Sequence, residues 1–262
     1  MNEEDLKNLQ KAVKLLENQS LGLKIAEVIG TPIEKAIALL PNKAKDVISS
    51  ATEKAIHQAL KLSLKTMDYY DSNSNEKAPV SSDWWHKAAT ATTGAIGGTF
   101  GIFALSIELP ISTTIMMRSI ADVARSEGAN IQDLQTQLEC VQVLALGGPS
   151  NAVAEVGYFV TREAMTKAVS EAATYLANNG LKKGVAPQIV KLINKIADHY
   201  SLNVTDKVAG QIVPIIGAIG GALINTIFID HFQRMARGHF TILRLENKYN
   251  RELVRQKYFE FK

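Results

Sequence analysis

The side chains that could do chemistry in this chain stand at or just beyond the ends of its apolar stretches. Two carboxylates and an imidazole, Glu108, Asp230 and His239, are types that exchange protons with a substrate when they share a pocket. Such a pocket would suit a hydrolase acting on a lipid or a peptide. A carboxylate beside an arginine can instead form a structural ion pair, and a half-buried polar group can bind a cation or a lipid headgroup. The candidate polar or ion-pair site consists of Glu108, Arg118, Asp122, Arg162, Asn225, Asp230, Arg237 and His239.

No motif assigns these side chains to a metal or a cofactor. The GxxxxGK[ST], HExxH, GxSxG and GxGxxG patterns are all missing from the sequence. The five histidines lack the pairwise spacing of a metal site, and the single cysteine, Cys140, excludes a disulfide within the chain. We therefore predict no metal ion and no cofactor, and we expect a reducing compartment.

The longest uncharged stretch covers residues 208–229 and leads directly into a basic segment. Its 22 residues are long enough to cross a membrane as one helix. Pro214 and the glycines at 217, 220 and 221 interrupt it, because glycine and proline weaken a helix interior. Three interpretations stay open: two buried helices that meet near Pro214, one helix from about residue 215, or a membrane span.

A second glycine-rich stretch resembles the first. The sequence from Gly94 to Gly98 recurs letter for letter from Gly217 to Gly221. In both places an apolar run follows and ends at an acid, Glu108 or Asp230. The pattern predicts two comparable helices that pack through their glycine faces, at the centre of the fold or as a hairpin that dips into a membrane.

The rest of the chain shows helical periodicity without sustained strand alternation. We predict an all-α protein of about nine to ten helices in a single domain, 1–262. Within it, residues 1–70 form N-terminal helices, 71–82 form a flexible loop, and 83–262 form the core. Pro110 is expected at the first position of a new helix that runs to about residue 126, because proline suits that position.

Charge distribution indicates a possible surface partner. The net charge of +3 is too small to favour nucleic acid, but residues 230–262 hold eight lysines and arginines against four acids. A basic segment after an apolar run is typical of the cytoplasmic face of a membrane, and also of an ordinary solvated helix. The adjacent tryptophans can be an interfacial anchor or core. The predicted membrane-contact residues are Trp84, Trp85, Arg244, Lys248, Arg251 and Arg255.

An ordered series of residues over about 85–258 resembles the bacterial EcsC family. The series comprises Glu108-Leu109-Pro110, Ser112-Thr113, Met117-Arg118-Ser119-Ile120-Ala121, Gly128, Glu139-Cys140, Tyr158-Phe159, Arg162, Asn225, Phe228, Phe232, Ala236, His239-Phe240, Leu243, Arg244-Leu245-Glu246 and Tyr249. The family is named after a protein linked to an ABC transporter. The resemblance therefore implies a bacterial origin and a membrane neighbourhood, and it carries over no catalytic residue.

Three functions remain open on the sequence. The first is a helical accessory protein without a reaction, bound to a membrane surface or a membrane transporter, with a small-molecule or lipid ligand allowed. The second is the hydrolase with Glu108, Asp230 and His239 around one pocket. The third is a protein whose apolar helices insert into membranes conditionally, as pore-forming toxins do. The acidic, polar N-terminal residues are unlike a signal peptide, so we expect a cytoplasmic protein peripheral to the inner membrane.

Overall fold

The protein is built from helices packed around long central ones. The computed structural model describes residues 1–17, 20–65, 99–148, 157–180, 186–213 and 217–262. The α-helices in these ranges are α1 (Glu3–Glu17), α2 (Leu21–Ile29), α3 (Ile33–Ala38), α4 (Ala44–Lys65), α5 (Thr99–Ser126), α6 (Leu134–Gln142), α7 (Tyr158–Asn179), α8 (Pro187–Ile212), α9 (Gly217–Tyr249) and α10 (Arg251–Phe261). A 3-10 helix, Val143–Ala145, follows α6, and no strand occurs in the described ranges. The all-α prediction is confirmed.

The core forms where α4, α5, α8 and α9 pack together. Helix α5 contacts both α4 and α9, and α8 contacts α2, α3, α4 and α7. At the centre, the rings of Tyr200, Phe228 and Phe232 lie 5.2–6.0 Å apart between centroids. All three side chains are at most 1% exposed. Such aromatic contacts stabilise a core beyond the area that they bury, so this cluster holds α8 against α9.

The uncharged stretch 208–229 is divided between two helices. Helix α8 ends at Ile212 and α9 begins at Gly217, as in the interpretation with two helices meeting near Pro214. Among its described residues, Val208, Ala209 and Phe228 are nearly inaccessible, whereas Leu223 is 42% exposed. In the parts of the chain that the structure describes, no helix combines the length and apolarity that crossing a membrane requires.

Glycine permits a close approach of helices at Gly210 in α8. A Cβ atom there would overlap with the side chain of Ile25 on α2 and would contact Ile224 on α9. The small residue therefore lets three helices meet. The repeated glycines at 94–98, the tryptophan pair and the loop 71–82 lie outside the described residues.

The prediction that a helix starts at Pro110 was wrong. Helix α5 runs without a break from Thr99 to Ser126, with Pro110 inside it. A proline within a helix removes one backbone hydrogen bond and costs about 3 kcal/mol. The hydroxyls of Ser112 and Thr114 donate to the carbonyls of Leu109 and Pro110 at 3.1 and 2.9 Å, which are not the carbonyl that the proline leaves unpaired. Burial of Leu105, Leu109 and Met116 on this helix opposes the cost of the proline.

Candidate functional site

Glu108 forms an ion pair in the protein interior. Both of its carboxylate oxygens accept hydrogen bonds from the Lys207 ammonium group on α8, at 2.7 and 2.9 Å. The Lys207 side chain is 0% exposed and that of Glu108 is 10% exposed. The ammonium nitrogen also lies 4.9 Å from the ring centroid of Phe228, which adds a cation–π attraction. The geometry is that of a structural pair, and sequence reasoning missed Lys207 although it marks the start of the uncharged run.

The other members of the predicted constellation lie in separate places. The exposed carboxylate of Asp230 contacts Arg234 Nε at 3.0 Å and Lys24 Nζ at 4.0 Å. Asn225 accepts a hydrogen bond from Gln211 at 3.3 Å. Asp122 pairs with Arg125 at 3.2 Å, and Arg118 and Arg237 are exposed. The eight residues therefore do not line one pocket.

His239 belongs to a buried hydrogen-bonded network. Its Nδ1 lies 2.8 Å from the Tyr158 hydroxyl and its Nε2 lies 3.0 Å from Glu139 Oε2. An ionised carboxylate can only accept hydrogen bonds. Nε2–H of His239 therefore donates to Glu139, and Nδ1 shares a second hydrogen bond with the Tyr158 hydroxyl. The His239 side chain is 0% exposed, so a substrate has no access to it in this conformation.

The electrostatics of this network favour fixed charges over proton transfer. Burial raises the pKa of Glu139, but the hydrogen bond and attraction to His239 outweigh burial and hold that pKa below its usual value. Burial raises the pKa of the neighbouring Cys140 thiol to about 12, with a further contribution from Glu139. Burial also raises the pKa of the Tyr158 hydroxyl above its usual value. The thiol and the phenol therefore stay protonated and unreactive at neutral pH.

A second ion pair lies beside the network. The Arg162 guanidinium donates two hydrogen bonds of 2.7 Å to the Glu246 carboxylate, and each side chain is 9% exposed. The guanidinium carbon lies 5.9 Å from the ring centroid of Tyr158. Helices α6, α7 and α9 are thereby connected through polar side chains that are almost completely excluded from water.

The hydrolase hypothesis required Glu108, Asp230 and His239 to share a pocket, and the structure gives each a different set of partners. Glu108 binds Lys207, Asp230 binds Arg234 and Lys24, and His239 binds Tyr158 and Glu139. That arrangement lacks the common pocket, so the proposed acid–base site is corrected to three separate polar contacts. Within the described ranges, no group of three histidine, cysteine, aspartate or glutamate side chains is arranged to hold a metal ion.

A large apolar groove opens between α4, α5, α7 and α8. Its cavity volume is about 1210 Å³. The lining residues are Lys54, His57, Gln58, Leu60, Lys61, Leu62, Ser106, Ile107, Pro110, Ile111, Tyr175, Leu176, Gly180, Ala186, Ile189 and Ile193. Ile107 is 70% exposed at the opening, and the exposed Lys54 and Lys61 stand on one side of it. Sequence reasoning treated these lysines only as a solvated helix face.

A family model described as the EcsC protein family matches residues 2–245. The chain belongs to the EcsC family. Comparison with curated proteins and with solved structures gives no match. The residues of the buried network in this EcsC protein, including Glu139, Tyr158, Arg162, His239 and Glu246, are among those that carried the resemblance.

The basic side chains predicted to contact a membrane already have acidic neighbours in this EcsC protein. Lys248 contacts Asp5 at 2.7 Å, and Arg244 contacts Glu127 at 3.0 Å. Arg251 and Arg255 both contact Glu163, at 3.4 and 2.8 Å. These four side chains remain between 33% and 52% exposed. Their charges are partly neutralised, which lowers the attraction that this segment can offer to anionic lipid.

Asp206 is a second buried carboxyl. Unlike Glu108, which pairs with Lys207, it has no ion-pair partner among the described residues. It is 3% exposed, and its Oδ2 has no hydrogen-bond partner among the described residues. Burial raises the pKa of Asp206 to about 7, with a smaller contribution from repulsion by Glu34. The folded protein therefore favours the protonated form of Asp206. This preference stabilises the fold at pH values below the pKa that Asp206 has in the unfolded chain, and the stabilisation is lost as the pH rises towards 7.

Replacing Asp206 by Asn is expected to stabilise the protein more at pH 8 than at pH 4. Asparagine cannot ionise, so the variant avoids the cost of a buried carboxylate. The gain in the free energy of unfolding should grow by about 3 kcal/mol between these pH values. Urea unfolding of wild type and variant at both pH values measures it. The exposed Asp198→Asn change on the same helix is the control, and an equal gain at both pH values would contradict the prediction.

Proposed function

We propose that this EcsC protein is an accessory protein of the inner membrane surface that binds an anionic lipid and catalyses no reaction. The observation that carries the proposal is the apolar groove with Lys54 and Lys61 at its opening. An acyl chain would occupy the groove, and the acidic headgroup would lie against the two lysines. Binding at a membrane surface would also place the protein beside a membrane transporter, the partner class that the family resemblance implies.

The groove suits one acyl chain because its walls are apolar and its base consists of buried side chains. Ile189 and Ile193 of α8 and Leu176 of α7 form a buried floor, with at most 5% of each side chain exposed. The cavity of about 1210 Å³ is at least as large as the 300–1,000 Å³ or so that is typical of small-molecule sites. Burial of apolar surface stabilises binding by about 25 cal/mol per Å².

Charge complementarity selects an anionic headgroup. Lys54 and Lys61 lie on the same face of α4, two helical turns or about 10.5 Å apart along the axis. His57 lies between them and contacts Glu53 at 4.0 Å. Two exposed ammonium groups beside an apolar opening would attract a phosphate or carboxylate headgroup more strongly than a zwitterionic one.

Vesicle co-sedimentation tests the proposal. We expect wild type to sediment with vesicles of phosphatidylglycerol and phosphatidylcholine, and to stay in solution with phosphatidylcholine alone. The double change Lys54→Glu/Lys61→Glu should reduce the bound fraction at least tenfold, and Ile107→Asp should reduce it similarly. The control Lys43→Glu/Lys45→Glu changes the same charge at the N-terminal end of α4, outside the groove, and should bind as wild type does. Equal binding of the groove variants and wild type would contradict the proposal.

Washing of the bound vesicles distinguishes a peripheral protein from a conditionally inserting one. Release by high salt is expected, because headgroup contacts are screened by salt. Resistance to both high salt and alkaline carbonate would favour insertion of apolar helices. Brominated acyl chains in the same vesicles report on Trp84 and Trp85, the only tryptophans in the chain. Quenching of their fluorescence is expected if they anchor the protein at the interface.

A further inference from the structure

A second cluster of polar groups lies away from the groove, where α2 meets α9. Lys24 of α2 and Arg234 of α9 both approach the Asp230 carboxylate, with Lys24 Nζ at 4.0 Å and Arg234 Nε at 3.0 Å from Oδ2. His231 stands one position along α9 from Asp230 and is 1% exposed. Two cations and an imidazole are thus gathered at one place.

The donors of this cluster exceed its acceptors. The buried Nη2 of Arg234 has no hydrogen-bond partner among the described residues, and neither ring nitrogen of His231 has one with acceptable geometry. The Arg234 side chain is only 16% exposed, so water satisfies few of its five N–H groups. Leaving a charged donor buried and unpaired is unfavourable. A bound acceptor would remove that cost.

Packing fixes the imidazole next to the cations. Gly147 has a φ angle of +73°, and a Cβ atom there would overlap with the His231 ring. Burial lowers the pKa of His231 to about 3, with repulsion by Arg234 and Lys24 contributing. The imidazole is therefore neutral at physiological pH, and its ring faces the backbone of Leu146 and Gly147.

The carboxylates nearby do not complete the cluster. Asp230 is 55% exposed and approaches Arg234 through Nε, which leaves Nη2 unpaired. The exposed Glu27 also attracts Lys24, but burial together with Arg234 still lowers the pKa of Lys24 below its usual value. The two cations are thus incompletely neutralised.

We propose that Lys24, His231 and Arg234 form a binding site for a phosphate group, either free or on a lipid headgroup. Arginine binds phosphate oxygens through paired N–H groups, and lysine supplies a point charge. The neutral imidazole of His231 packs beside the two cations and adds no opposing charge. Asp230 occupies the same cations and therefore competes with the ligand. This site is separate from the groove, and neither requires the other.

Isothermal titration with inorganic phosphate tests the site. Arg234→Gln and Lys24→Gln should each weaken binding at least tenfold. Asp230→Asn should strengthen it several-fold, because the competing carboxylate is removed. The control Arg237→Gln changes an exposed arginine on the same helix and should leave affinity unchanged. Circular dichroism checks that each variant folds. If Arg234→Gln does not fold, Lys24→Gln still tests the site.

The outcome for Asp230→Asn separates a binding site from a structural ion pair. A purely structural pair predicts lower stability and no gain in phosphate affinity, and that result would overturn the proposal. A second titration with short-chain phosphatidic acid distinguishes the two sources of phosphate. Binding of both ligands indicates a free phosphate group, and binding of the lipid alone indicates a headgroup site. Absence of binding to either ligand would overturn the proposed site. If Lys54→Glu/Lys61→Glu still binds phosphate, the phosphate site is independent of the groove.

Discussion

Replacing Glu108 by Gln is expected to lower the free energy of unfolding by about 3–5 kcal/mol. The Lys207 ammonium group is 0% exposed, and Glu108 supplies both of the oxygens that pair with it. Glutamine preserves the shape of the side chain but removes the charge, so the ammonium would remain buried without a counter-ion. Urea unfolding of wild type and variant at neutral pH measures the difference.

Replacing the other partner, Lys207, should lower the free energy of unfolding by less. Lys207→Met leaves a Glu108 carboxylate that retains 10% exposure and can reach water. The double variant Glu108→Gln/Lys207→Met should recover most of the stability, because neither charge is then left buried without its counter-ion. The decisive quantity is the coupling energy between the two sites, which is obtained by comparing the double variant with the two single variants. Single effects that are additive and each below about 1 kcal/mol would contradict the buried ion pair.

The same pair shows why the sequence identified Glu108 as important and assigned it the wrong chemistry. A carboxylate at the end of an apolar stretch is visible in the sequence. Its partner Lys207 lies on a different helix, 99 residues away, and no local periodicity links the two. Tertiary packing of α5 against α8 therefore decided the role of Glu108.

Helix type was predictable because it depends on local spacing. The apolar periodicity of Phe228, Phe232 and Met235 lies on one face of α9, and all three are buried. Continuity was harder to predict. Pro110 is a strong local signal for a helix start, yet α5 continues through it, with Leu105, Leu109 and Met116 buried on either side. At Pro110, burial of the helix as a whole therefore outweighs the local preference of proline for a helix start.

Both proposed binding sites depend on surfaces that sequence alone does not bring together. Lys54 and Lys61 occur in a helix whose charges alternate, which is typical of a solvated face. Only the placement of Ile107 and Ile189 beside them creates an apolar groove with a basic opening. Similarly, Lys24 and Arg234 lie far apart in sequence and meet because α2 packs on α9.

Replacing His239 by Leu is expected to destabilise the protein by about 3 kcal/mol. Leucine fills much of the space of the imidazole, but it leaves the Tyr158 hydroxyl and the Glu139 carboxylate without their shared partner. Each buried polar group left unpaired costs about 1–3 kcal/mol. Thermal or urea unfolding measures the loss, with the exposed His57→Leu change as the control for stability.

Tyr158→Phe should cost only about 1 kcal/mol, because it removes the hydroxyl and leaves one unpaired nitrogen of His239. The order of the two effects follows from the position of His239 between its neighbours. Because the His239 side chain is 0% exposed, a folded His239→Leu variant should bind anionic vesicles as wild type does. Loss of vesicle binding with unchanged stability would assign His239 a ligand-binding role that its burial argues against. Loss of stability with intact binding would establish that the network joins α6, α7 and α9 and leaves function to the surface.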